Sequence, residues 1–399
     1  MGRILNLFSR DKASRAVPTA RQASLFSKTK AVSGKGYYLW QIRQVEKGDP
    51  SAIVAKALEA GLTHVLIKIA DGASWIYNYD YATKTDLVPP VRDALRSAGI
   101  KVWGWHYIWG NDPAGEARMA ITRMQNLKLD GYVIDAEAEF KDPSKRQAAI
   151  RFMNDLKAGL TDVPIGFSSY RYPKLHPELP YDVFLEGCDY AMPQVYFEQA
   201  HDPEEQLARS AEQYYALKNA RPIVPTGPTY QHGSWRPSAD EIDRFMGKAK
   251  AMGLEGVNFW AIDFATRPEM ADLWKTVSDF KWSGEPPPED VPERWINVMN
   301  QRDAGAVAAL YTDRAAHVTG ASTIVGRDLV QAWYKILFDK ILPKGKFTMT
   351  GKTISGRSRH VTWTAKSNAG AVLDGNDTLG LQDGKILYHY TYFTVSPSG

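Results

Sequence analysis

In residues 130–140, DGYVIDAEAEF, Asp135, Glu137 and Glu139 fall on alternate positions at the end of an apolar run. In a strand every second side chain leaves the same face, about 6.6 Å from the next, so three carboxylates would share one surface. Val133 has their parity, whereas Tyr132, Ile134, Ala136 and Ala138 have the other. Like charges held close in a partly dry place cannot all ionise, so at least one should keep its proton towards neutrality. A protonated carboxyl beside an ionised one suits the breaking of a glycosidic bond. The acid protonates the leaving oxygen, and its neighbour stabilises positive charge at the sugar carbon.

Other chemistries have less to stand on. No G-x-S-x-G turn is present to carry a serine nucleophile, and the eight histidines contain no H-x-x-x-H pair for a metal. A carboxylate-only magnesium site at Asp135 and Glu137 stays open. So does a plain alternative in which the acids pair with Lys68 and other bases in a barrel that does no chemistry. Lys68 lies inside the apolar run HVLIKIA, so its charge needs either a carboxylate such as Asp135 or a ligand. Trp103, Trp105, Tyr107 and Trp109 alternate through KVWGWHYIW, and flat rings of this kind can stack on sugar faces or fill a core. Gly104 and His106 between them leave the inward parity open.

These residues need a scaffold. Between about 36 and 280 the chain repeats a short apolar run followed by an amphipathic helix. The candidate strands are 37–42, 64–70, 101–108, 131–137, 163–169, 190–196, 221–227 and 256–263. Asp-Pro pairs at 49–50, 112–113, 142–143 and 202–203 mark helix starts, with the carboxylate capping free amides and proline at the first helical position. Eight such units in this length predict an α/β fold, a (β/α)8 barrel over 35–280. No glycine-rich loop follows the first strand, which argues against the nucleotide-binding open sheet. The carboxylates would then stand at the C-terminal rim, where barrel chemistry gathers.

Residues 281–292, KWSGEPPPEDVP, read as a stiff, solvated linker. Beyond it, 293–340 read as helical and 346–395 as antiparallel strands with turns at SNAG, LDGN and QDGK, giving an α+β domain over 293–399.

The formal charge of +4 is uneven. Residues 1–34 hold seven basic groups against Asp11, so the rest of the chain is slightly acidic. This basic tail reads as a solvated leader, a targeting segment or a docking arm for an acidic partner in a larger assembly. Its ILNLF is too short for a secretory signal, and no apolar run is long enough to span a membrane. A single cysteine, Cys188, excludes an internal disulfide.

The fourth-strand sequence DGYVIDAEAE resembles the D-G-x-D-x-D-x-E signature of family 18 glycoside hydrolases through Asp130, Gly131, Asp135 and Glu137, with Val133 in place of the first inner aspartate. MPQVYF resembles that family's M-x-Y-D segment through Tyr196, with Gln194 for Met and Phe197 for Asp. GVNFWAID is similar to its last strand, with Trp260 matching a tryptophan that floors the sugar site. The D-x-E pair is also similar to lysozyme-like barrels of family 25, whose first-strand aspartate is missing from YYLWQI. The resemblance implies Glu137 as general acid and Asp135 as the group that orients an N-acetyl substituent or stabilises charge. Glu139, Lys68, Tyr107, Gln194, Tyr196, Trp260 and Asp263 are the expected substrate contacts, with no metal and no cofactor.

The C-terminal sequence, with GR before a helix and DGKI before its last strand, resembles SnoaL-like, nuclear-transport-factor-like cones. That implies a binding or dimerising accessory, with His317, His389 and Asp377 lining a pocket or satisfied in a core. Two functions stand open. One is hydrolysis of a polysaccharide of the peptidoglycan or chitin type. The other is a non-catalytic glycan-binding or structural part of a larger particle. Lacking an evident secretory signal, a wall hydrolase would need another export route or delivery by a phage-like device.

Overall fold

A computed structural model describes residues 32–282, 290–355, 357–382 and 384–397. Most of the basic tail and the centre of the linker lie outside these residues. Eight parallel strands close into a barrel: β1 (Gly34–Leu39), β2 (His64–Asp71), β3 (Lys101–Tyr107), β4 (Gly131–Asp135), β5 (Ile165–Tyr170), β6 (Tyr190–Gln194), β7 (Thr226–Pro228) and β8 (Gly256–Trp260). Each pairs with its neighbours in chain order, and β1 pairs with both β8 and β2 to complete the ring. The strand expected over 221–227 is reduced to Thr226–Pro228 and an isolated bridge from Ile223 to Ala191. Pro222 and Pro225 have no amide hydrogen to give to a ladder.

The helices α1 (Pro50–Glu59), α2 (Val88–Ser97), α3 (Pro113–Leu127), α4 (Arg146–Gly159), α5 (Tyr181–Gly187), α6 (Pro203–Tyr215), α7 (Ala239–Ala251) and α8 (Ala271–Asp279) follow the successive strands. Three of the four Asp-Pro starts behave as expected. Asp49 accepts from the amides of Ser51 and Ala52, Asp112 from Gly115, and Asp142 from Ser144, the last opening a short 3-10 turn ahead of α4. Asp202 departs from the pattern: no backbone amide reaches its carboxylate, which instead accepts from the Gln206 side chain at 3.0 Å.

Strand alternation divides the barrel core in two. Tyr37, Val65, Ile67, Val102, Ile134, Phe167 and Phe259 face the helices. Tyr38, Leu66, Trp103, Trp105, Val133, Tyr190 and Met192 fill the lumen. This resolves the parity of β3: its tryptophans point inward, and Gly104 faces out, where a Cβ would meet Ile69 and Leu129. His106 also faces out, bonded to Tyr132 Oη and to the carbonyl of Gly72. With the lumen packed, only the rim above it is free for chemistry.

The second body has its own core, centred on Trp295, Tyr311, Tyr334 and Trp363. Helices α9 (Val291–Gln301), α10 (Ala304–Ala309) and α11 (Arg327–Ile336) cover a six-stranded sheet of β9 (Tyr311–Val318), β10 (Thr323–Val325), β11 (Lys346–Ser355), β12 (Ser358–Ser367), β13 (Gly370–Gln382) and β14 (Lys385–Tyr392), in the order β10-β9-β14-β13-β12-β11. The expectation of helix throughout 293–340 fails at β9 and β10. Tyr311, Ala315 and His317 are buried while Asp313 and Arg314 are exposed, a near-alternation that a helical reading of the alanines hid. LDGN is not a turn either, since its residues lie within β13 beside a register shift. The sheet touches the barrel: Ile354 packs against the barrel's helix layer, and Arg357 lies 3.8 Å from Asp93.

Candidate active site

The upper rim is assembled by register. Tyr107 is level with Asp135 across β3 and β4, and Asp135 is level with Ser168 across β4 and β5. Tyr170 is level with Gln194, and Gln194 with Thr226. All follow the inward parity set below them by Trp105, Val133 and Met192. The geometry therefore puts the carboxylate strand, the aromatic strand and the glutamine of β6 into one mouth.

Asp135 is the deepest of the acids, 6% exposed, and Glu137 and Glu139 are half-buried above it. The Gln194 amide joins the first two: Nε2 donates to Glu137 Oε1 at 2.8 Å and to Asp135 Oδ1 at 3.2 Å, with Ser168 Oγ at 3.3 Å. Burial, then the Glu137 carboxylate beside it, push Asp135 well above the ordinary carboxylate range. Lys68 and a hydrogen bond from Ser168 offset only part of that. Asp135 is therefore the carboxyl that keeps its proton towards neutrality. Glu139 stands apart, accepting from Tyr107 Oη at 2.7 Å. Burial, then that bond and the neighbouring carboxylates, push the Tyr107 phenol up, so it stays a donor.

Lys68 is buried but does not form an ion pair with Asp135. Its ammonium is 2.7 Å from Asp71, at the end of its own strand, and lies over the rings of Tyr77 (4.3 Å) and Trp105 (4.7 Å). Asp71 also accepts from Trp109 Nε1 at 2.8 Å. Trp260, at the end of β8, packs against Tyr38, Trp40 and Trp105 with centroids 5.4–6.0 Å apart. Tyr196 faces the same space, edge-on to Tyr230 at 5.5 Å, its phenol raised by burial and by Tyr230, Tyr38 and the two acids. Tyr170, inward on β5 and level with Gln194, is raised to about 12 by burial and then by Glu137, Glu139 and Asp135.

Asp263 is the expected contact that the mouth does not present. Its oxygens accept from the backbone amides of Trp40 and Gln41 at 2.8 and 2.5 Å, clamping the end of β1 to the turn after β8. Burial raises it to about 6 despite those bonds. Phe197, at the position where the resemblance expects an acid, faces outward and packs against Trp235 and Phe245. Ser168, Asp71, Tyr38 and Tyr170 belong to the mouth but were not singled out from the sequence. Each sits on an inward position or at a strand's C-terminal end, which is the signal that would have found them. Among the described residues, no three or more His, Cys, Asp or Glu side chains gather as a metal site. No described helix is long and apolar enough to cross a membrane.

A family model for the SnoaL-like domain matches residues 293–389, and the C-terminal body is a domain of that kind. Solved structures similar to the chain include an NTF2-like protein of unknown function from Cytophaga hutchinsonii, 13% identical, covering 26% of this chain and 88% of its own, TM-score 0.23. Another is a hypothetical protein with a ketosteroid isomerase-like fold from Catenulispora acidiphila, in complex with trimethylamine, 16% identical, covering 27% and 88%, TM-score 0.25. An NTF-2 like protein of unknown function from Burkholderia xenovorans is 15% identical, covering 27% and 84%, TM-score 0.24. No curated protein matches the chain.

Proposed function

We propose that the barrel is a glycosidase acting on a polysaccharide, of the class that includes N-acetylated chitin or peptidoglycan strands. The observation that carries this is the Asp135–Glu137 pair, bridged by Gln194 at a mouth walled with aromatic rings. Such rings offer flat apolar faces to pyranose rings. Glu137, the more exposed carboxyl, is the general acid that protonates the glycosidic oxygen. Asp135 holds a proton in the resting state; when substrate binds, that proton passes to Glu137, which delivers it to the glycosidic oxygen, and Asp135, left ionised, stabilises the positive charge developing at the sugar carbon. Gln194 keeps both carboxyls in one orientation, and Tyr107 fixes Glu139 beside them.

The test compares wild type with Glu137→Gln on chitin oligomers and peptidoglycan fragments. Loss of a general acid is expected to slow turnover by about 10²- to 10⁴-fold; equal rates, or no turnover by wild type on any glycan tried, count against the assignment. A second reading, glycan binding without turnover, is favoured by Val133, which packs in the lumen, and Phe197, which packs outward, at two positions where the resemblance expects acids. Binding of the same oligomers by a wild type that leaves them intact selects it.

A further inference from the structure

Between β2 and α2 the chain makes an excursion, residues 72–87, GASWIYNYDYATKTDL, with Trp75, Tyr77, Tyr79 and Tyr81 on alternate positions. It begins as a short strand, Trp75–Ile76, running antiparallel to the end of β2, with Ala70 level with Ile76 and Asp71 level with Trp75. Residues directly opposite each other in a sheet send their side chains from the same face. Trp75 therefore joins a row already set at the mouth, in which Ser168, Asp135, Tyr107 and Asp71 are level across β5, β4, β3 and β2. Three steps of about 4.8 Å between strands put Trp75 about 14 Å along the wall from Asp135.

The excursion is tied to the barrel on several sides. The Gly72 amide donates to the Tyr107 carbonyl at 2.8 Å, and the Gly72 carbonyl accepts from His106 Nε2 at 2.9 Å. Asn78 accepts from the Ile42 amide at 2.8 Å and donates to the carbonyls of Trp40 and Lys68 at 3.0 and 2.9 Å. One side chain thus joins the excursion to β2 and to the residues that follow β1. Tyr81 Oη accepts from the Ile76 amide at 2.9 Å and donates to the Ile76 carbonyl at 3.2 Å. Those bonds hold the Tyr81 ring against Trp75, with centroids 4.7 Å apart and planes 32° from parallel. Yet Trp75 is 54% and Tyr81 47% exposed. A single exposed aromatic is ordinary. A stacked pair anchored in the open, on the row of the acids, is a preformed flat face with little freedom left to lose on binding.

Between that ledge and the acids the wall is polar. Asp71 is partly exposed and accepts from the indole of Trp109, itself exposed. A flat apolar face, then hydrogen-bonding groups, then a carboxyl pair follow one another along one wall. Linked pyranose rings present the same alternation of apolar faces and hydroxyls. We propose that Trp75, backed by Tyr81, is a distal sugar subsite, so that the substrate is an extended glycan strand lying along the β4–β3–β2 wall with its scissile bond at Asp135 and Glu137. This rests on the glycosidase reading and adds a selection for chain length: a disaccharide held at the acids does not reach the ledge, whereas a longer strand does.

The test uses the full-length protein with the disaccharide and hexasaccharide of N-acetylglucosamine, and with peptidoglycan strands of the same two lengths. Turnover is measured in wild type and Trp75→Ala, and calorimetric binding in the same pair carrying Glu137→Gln, which leaves the oligomers uncut. The hexasaccharide should be favoured over the disaccharide in wild type, a readout that needs no Trp75 variant to fold. Trp75→Ala should reduce that advantage by about tenfold, the size of one good aromatic contact, and Trp75→Tyr should restore part of it. No advantage of length, or one that Trp75→Ala leaves intact, overturns the ledge while the glycosidase reading stands. Binding without turnover, with a length advantage lost in Trp75→Ala, supports the ledge and overturns hydrolysis. No binding of any oligomer overturns both. Self-association of wild type that Trp75→Ala abolishes would give the pair to a second copy of this chain and overturn the subsite.

Discussion

At the scale of single residues the most informative group is Asp135, whose proton affinity is raised by burial and by Glu137. A carboxyl that holds its proton more tightly when folded stabilises the fold least where the unfolded chain has already lost that proton. Its contribution is therefore most favourable below the ordinary carboxylate range, about pH 4, and is eroded as pH rises from there towards the raised folded value. Asp135→Asn removes this liability while keeping the shape. The variant should melt higher than wild type at pH 7, with the difference closing as pH falls below about 4. Thermal denaturation of both proteins across that range reads it directly; a difference that stays constant, or grows as pH falls, would show that the carboxyl pair is not strained in the fold. The same substitution should lower turnover, so stability and activity move in opposite directions, as expected where a site stores electrostatic strain.

At the scale of elements, the barrel depends on the seam where β1 closes the ring. Gly36 is level with His64 on one side and Asn258 on the other. The His64 ring crosses the space a side chain would occupy, its Nε2 donating to Asn258 Oδ1 at 2.7 Å, and a Cβ on Gly36 would fall 2.1 Å from His64 Nε2. Gly36→Ala should therefore cost about 1–3 kcal/mol by overpacking, measured by chemical denaturation; an unchanged midpoint would mean that the seam repacks freely. None of this was visible in the sequence, because it depends on three strands far apart in the chain. The eight strands themselves were legible, since apolar runs alternating with capped helices leave few other arrangements. The meeting of Asp135, Glu137 and Gln194 followed from parity on two strands. Lys68 and Asp263 were harder. Their partners, Asp71 at the last position of β2 and the amides of Trp40 and Gln41 just beyond β1, stand where strands give way to loops, and no periodicity dictates which groups meet there. β9 was missed for a related reason: its alanines suit a helix, and the sheet that makes it a strand is assembled from residues seventy positions later.

At the scale of the whole molecule, two cores form separately, one around the barrel strands and one around Trp295, Tyr311 and Trp363. The C-terminal core is tied to its own first helix by Asp290, which accepts from the amide of Val291 and lies 2.6 Å from Arg359 Nε on β12, both side chains being almost fully buried. Lys352 approaches the same carboxylate at 3.7 Å while pairing with Glu293. Removing one partner from a buried ion pair costs more than the pair itself contributes, about 3–5 kcal/mol, because the remaining charge keeps its desolvation penalty. Asp290→Ala should therefore unfold the C-terminal domain selectively. Among the contacts that cross to the barrel are Ile354, the approach of Gly384 to the Arg96 carbonyl, and the Arg357–Asp93 pair, which is largely exposed on its arginine side and contributes little; the barrel is therefore expected to outlast that loss. Hydrogen exchange resolved by segment distinguishes the outcomes. Amides in β11–β14 should lose protection while those in β2–β6 keep theirs, whereas a parallel loss in both would mean that the two cores fold as one cooperative unit and that the sheet props the barrel beneath the catalytic rim.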